Sequence, residues 1–141
     1  MIKAESNPGL HRKNAGDKTP CSKCASMKKR NFIISWEVYP FDVMVSIGER
    51  QEDVVKRIEK TGYKLSDEEK EKLWMTGDGR TVMLKGGQTI LRLDKTNHAL
   101  IAHEVFHAVD FLMRRIEVNL TYENSEVYAY AIQFLTRKIY E

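Results

Sequence analysis

Two histidines and a glutamate stand together in Ile101-Ala102-His103-Glu104-Val105-Phe106-His107-Ala108-Val109, an H-E-x-x-H spacing. On a helix turning ~100° per residue, His103 and His107 fall ~40° apart on one face and one turn from each other, so both imidazoles can close on a single ion. Glu104 projects to the flank of that pair, within reach of a metal-activated water and badly placed to ligate, which suits a general base. These residue types point to zinc-assisted hydrolysis. At ordinary residue frequencies such a spacing arises by chance in roughly one chain in a few hundred of this length, as a surface helix that happens to carry two histidines. The context argues against chance. Leu100, Ile101, Ala102, Val105, Phe106, Ala108 and Val109 are all uncharged, so the helix is expected to be apolar nearly all round and buried. Two histidines and a carboxylate in such a helix need partners, and a metal ion satisfies all three.

A hydrolytic zinc site takes three protein ligands and keeps one position open. His11 and His98 are the remaining histidines and none follows His107, so the third ligand is a Glu, Asp or Cys. Glu126 opens Glu126-Val127-Tyr128-Ala129, 19 residues past His107, a distance that allows a helix to finish, turn and return antiparallel. Glu123 is the rival, but it falls before the expected helix start.

The elements that must position these groups follow from periodicity and punctuation. Asn31 to Ser46 is β-branched and aromatic, with Phe41, Val43 and Val45 alternating after Pro40, as in one bent strand or two short ones. Val54, Val55 and Ile58 have helical spacing and Gly62 follows as a stop, so Glu49 to Thr61 reads as a helix. Ser66-Asp67-Glu68-Glu69 is a capping box that opens a second helix through Leu73, Trp74 and Met75, halted at Gly77-Asp78-Gly79. TVMLKGGQTILRL reads as a β-hairpin closed by a two-residue Gly86-Gly87 turn, leading almost directly into the metal helix, Asn97 to Ile116. Asn124 or Ser125 caps a last helix to about Tyr140, with Val127, Ala131, Phe134 and Leu135 available for packing. The expected class is α+β: a small antiparallel or mixed sheet packed against a metal-binding helix pair.

With 141 residues and 42% hydrophobic content, the chain is long enough to bury one core without disulfides. The net charge of +3 is unevenly spread. In residues 1–30, eight Lys and Arg stand against Glu5 and Asp17, giving +6 there and leaving −3 for residues 31–141. That arm has almost no large apolar side chains and is expected to be largely disordered, with residues 31–141 forming the folded domain. Its basicity allows contact with nucleic acid, although it lacks interleaved aromatics for base stacking. Cys21 and Cys24 form an isolated C-x-x-C, compatible with a plain exposed pair, half of an intermolecular zinc clasp, a redox pair, or a thiolate that folds back onto the catalytic zinc. No run approaches a membrane span and the amino end lacks the apolar core of a secretory signal, so a cytoplasmic protein is expected.

HEVFH followed by a helix bearing E-x-x-A resembles the gluzincin zinc peptidases, and a hairpin just before the metal helix is similar to their minimal forms. The pattern also resembles the small E-x-x-A metallopeptidases that accompany phage-type repressors. From Phe41 to Tyr140, with VSIGE, TVMLKGGQTILRL and SEVYAYAIQFL, the chain resembles small metallopeptidase-like proteins of tailed phages. The resemblance implies a minimal zincin-like fold and a zinc endopeptidase acting on a protein or peptide, in the host cytoplasm if phage-encoded. It makes His103, His107 and Glu126 the Zn2+ ligands and Glu104 the base. Thermolysin-like members carry an Asp four residues after the glutamate ligand, where this chain has Tyr130. Asp110, ~20° from His103 on the helical wheel, is placed to hold a ligand imidazole or, alternatively, to pair with Arg114. Tyr130, Gln133 and Arg137 continue the polar stripe of Glu126, and Tyr130 is the first candidate for donating to a tetrahedral oxyanion, ahead of Tyr122 and His98. The alternative function is a binding or regulatory module with a structural or vestigial metal site, whose basic arm contacts nucleic acid or a partner.

Overall fold

A computed structural model describes residues 29–39 and 41–141; the basic arm with His11, Cys21 and Cys24 lies almost wholly outside the described residues. The order of elements is β1 (Arg30–Ile34), β2 (Val43–Ile47), α1 (Gln51–Glu59), α2 (Asp67–Leu73), β3 (Gly79–Met83), β4 (Thr89–Leu93), α3 (His98–Arg115) and α4 (Ser125–Tyr140). The strands form one mixed sheet in the order β1-β2-β4-β3. The two hairpin pairs, β1 with β2 and β3 with β4, are antiparallel, and β2 joins β4 in parallel with Val45 opposite Leu91. This α+β architecture leaves β3 as an edge.

Every residue of β2 and β4 is buried, because both faces of these central strands are covered. Alternation sends Val43, Val45, Ile47, Leu91 and Leu93 to one face, where they pack with α3 and α4. Met44, Ile90 and Val82 go to the other, under Val54 and Ile58 of α1 and Leu73 of α2. The sheet is therefore sandwiched rather than covered by one helix pair, and α1 and α2 form the second layer.

Two buried charged residues pin that second layer. The Arg92 guanidinium donates to Gln51, to the Leu73 carbonyl and to the Glu49 carbonyl, tying the start of α1 to the end of α2, and burial lowers its pKa. Glu69 completes the expected capping box with Ser66 and also accepts from the Tyr63 hydroxyl at 2.7 Å and the Lys85 amide at 3.0 Å. Through Lys85 the cap of α2 holds the turn that follows β3. That turn is not the expected two-residue type. Such turns need Gly86 at positive φ, and only Gly87 has it, at +97°. The loop spans Lys85 to Gly87, with Gly87 N–H donating to the Leu84 carbonyl and Leu84 N–H to Gln88.

Candidate functional site

Asn97 starts α3 by accepting from the amides of Ala99 and Leu100 at 3.0 and 3.2 Å, which fixes the helix over β4 and β3. Its buried face is Ile101, Val105, Ala108, Val109, Leu112 and Met113. Contrary to expectation the helix is not buried all round. His103 and Phe106 are exposed and His107 is half-buried, since ~160° separates the histidines from Val105.

The structure brings His103 and His107 together, with their Nε2 atoms 3.2 Å apart. Two imidazole nitrogens on one tetrahedral zinc, each at ~2.0–2.1 Å, are ~3.3 Å apart. The pair thus fits two positions of such an ion, although the same separation also suits an N–H···N hydrogen bond between neutral rings. Glu104 diverges from them as expected and is buried against β3, where the Thr81 hydroxyl donates to its Oε2 at 2.6 Å. Gly79 permits that approach: a Cβ there would stand 2.7 Å from Leu100 Cδ1 and 3.0 Å from Glu104 Cγ. An open cleft of about 540 Å³ runs round the β3 edge past His103, Glu104, His107 and Phe111, with Lys72, Arg80 and Met83 on its other walls.

Glu126 is not gathered with the histidines. Helix α4 runs antiparallel to α3, with Tyr140 against His98 at one end and the Tyr128 hydroxyl donating to the Val118 carbonyl at the other. Its buried stripe is Tyr128, Ala131, Leu135 and Ile139. Glu126, ~200° from Tyr128 in helical phase, is on the exposed side and more than a turn beyond His107 along α3. Among the described residues no three His, Cys, Asp or Glu side chains are grouped to hold one metal ion. Glu123 is exposed, its pKa lowered by its own amide and by Thr121. Tyr130 is 66% exposed and lines a separate groove with Trp36, Val38, Tyr39 and Phe134. Asp110 pairs with Arg114 at 2.9 Å, the second of its two expected roles. At the expected cap of α4, Asn124 makes no side-chain cap, donating instead to the Asn119 carbonyl, while the Ser125 hydroxyl donates to that of Tyr122.

Thr81, Gly79, Lys72 and Arg80 were not singled out by sequence. The one available signal was the strand alternation from Arg80 on, which separates Thr81 from Arg80 and Val82; Gly79 reads in sequence as part of the preceding turn, and only the structure makes it the first residue of β3. No family model, curated protein or solved structure matches the chain, so the gluzincin resemblance stands on its motifs alone. Among the described residues no helix is long and apolar enough to cross a membrane.

Proposed function

We propose that this chain is a zinc-dependent endopeptidase of gluzincin type in which His103, His107 and Glu126 hold the metal and Glu104 is the base. The observation that carries this reading is the convergence of the two Nε2 atoms at 3.2 Å, beside a buried Glu104 and an open edge strand. An ion held by these residues would supply the electrophile that acidifies a water molecule and polarises the scissile carbonyl. Glu104 takes the proton of the attacking water as the C–O bond forms, and delivers it to the amine nitrogen as the C–N bond breaks. Thr81 orients the carboxylate for both transfers. The unpaired backbone edge of β3 gives an extended peptide a strand to pair with, which draws its carbonyl along the cleft. The structure keeps Glu126 on the exposed side of α4, so its place in the ligand set rests on the E-x-x-A pattern and not on convergence with the histidines. Tyr130, on another groove, has no part in this scheme.

One observation favours the second reading, a binding module with a vestigial site: only two ligand side chains converge among the described residues. Glu104→Gln separates the two. In a peptide-library assay with zinc, the full-length variant is expected to keep the wild-type metal content and fold while losing ~10²–10⁴ in rate. Equal cleavage by variant and wild type would sink the mechanism, and wild type that binds zinc yet cleaves nothing would favour the module.

A further inference from the structure

We infer that the cleft selects peptide segments carrying acidic side chains. The inference rests on the reading of the β3 edge as a peptide site and adds the class of sequence it takes. A chain laid along β3 as an added strand sends alternate side chains to opposite faces. On one face they meet His103, His107 and Phe111. On the other they meet Arg80, which shares the face of Val82, and Lys72 of α2.

The charge on these walls is one-sided. Arg80 makes no ion pair or side-chain hydrogen bond with another described residue, and Lys72 has only Glu68, in a pair more than half exposed on both sides. At the far end of β3, Arg115 lies over the Phe41 ring at 4.2 Å and approaches Met83, again without a described acidic partner. The one carboxylate lining the cleft is Glu104, buried and bound to Thr81. Of the acids in adjoining segments, Glu68 is shared between Lys72 and Lys85, Asp78 faces Lys95 and Asp110 faces Arg114, while Glu71 lines a different groove. An acidic peptide would therefore meet the unpartnered guanidinium of Arg80 and the weakly held ammonium of Lys72 in the cleft itself. The chain's own first thirty residues, with a net +6, carry the wrong sign to occupy this cleft. A nucleic acid matches the charge but not the row of N–H and C=O groups on the strand edge.

The test uses the full chain with zinc and Glu104→Gln, so that the probe is not consumed. Fluorescence anisotropy compares a short labelled peptide bearing Glu at alternate positions, its Lys twin, and an oligothymidylate of equal charge. Partly exposed pairs contribute roughly two- to fivefold each, so the Glu peptide is expected to bind about tenfold more tightly than its twin. The preference should weaken as salt rises above ~0.15 M. Lys72→Glu with Arg80→Glu should abolish or reverse it at unchanged zinc content and circular dichroism, and Arg80→Gln alone should move it partway. Equal affinity for the twins overturns the inference, as does a preference that survives the double reversal, which would place it on the basic arm. Tighter oligothymidylate binding lost on the same reversal overturns it in favour of a nucleic-acid cleft. If wild type cleaves neither peptide while the preference and its reversal hold, the peptidase reading fails and the acidic-peptide site stands.

Discussion

Glu104 and Glu69 are both buried glutamates, and what surrounds each decides its use. Glu104 faces one hydroxyl donor and an open cleft, leaving lone pairs for a proton. Glu69 is saturated by the Lys85 and Ser66 amides and the Tyr63 hydroxyl, in that order of influence, which hold its pKa at about 2 against the ordinary 4.5. A depressed carboxylate contributes stability that is complete above about 4.5 and is lost as pH falls from there toward about 2. Glu69→Gln should therefore destabilise the fold by up to about 3 kcal/mol at neutral pH. The gap from wild type should shrink as the medium is acidified through that window. Urea unfolding across the pH series checks this, and a gap independent of pH would mean that the bonds to Glu69 do not depend on its charge. The H-E-x-x-H pair was legible because its partners are one turn apart on one helix. Thr81 was not, because its bond to Glu104 joins two elements that only the sheet brings together.

At the scale of elements, helix starts were readable from local signals, the capping box of α2 and Asn97 before α3, whereas α1 and α2 stop at Glu59 and Leu73, short of the Thr61 and Met75 that the following glycines suggested. Of the pairings only the β3–β4 hairpin was readable, since nothing local states that β2 lies parallel to β4 or that β3 is left at the edge. The rotation of α4 was the costliest omission. Val127 and Phe134 offered a packing seam as plausible as the one used, but Tyr128, Ala131, Leu135 and Ile139 take the core, and that choice carries Glu126 outward. The seam between β3 and α3 is tighter. Gly79→Ala puts a methyl against the Leu100 and Glu104 side chains at 2.7 and 3.0 Å, so those side chains must shift. Because side chains can give way, the cost in stability should be at the low end of overpacking, about 1 kcal/mol, and the displaced Glu104 should lower kcat more than it raises KM. Thermal unfolding and steady-state kinetics on one preparation read both effects. Wild-type stability and kinetics in the variant would mean that the close approach of β3 to Glu104 is dispensable.

For the whole molecule, zinc is expected to join the two helices that the apolar core already pairs. An ion that binds only the folded chain stabilises it by about 2.7 kcal/mol at a hundredfold excess over its Kd, a rise of several degrees in Tm. If Glu126 completes the site, the first turn of α4 must swing toward His103 and His107, and this stabilisation then depends on both helices. Glu126 is exposed and makes no described hydrogen bond or ion pair, so Glu126→Ala should leave the metal-free Tm within about 1 °C of wild type. The same variant should lose most of the zinc-induced rise. His107→Ala should lose it as well, because one imidazole cannot replace the pair, whereas Glu123→Ala should retain it. Differential scanning calorimetry of the four full-length proteins with and without zinc tests the assignment apart from any catalysis. A full zinc response in Glu126→Ala together with none in His107→Ala would keep the histidine pair as the metal site. It would also move the third ligand off α4, to a residue outside the seam that the two helices share.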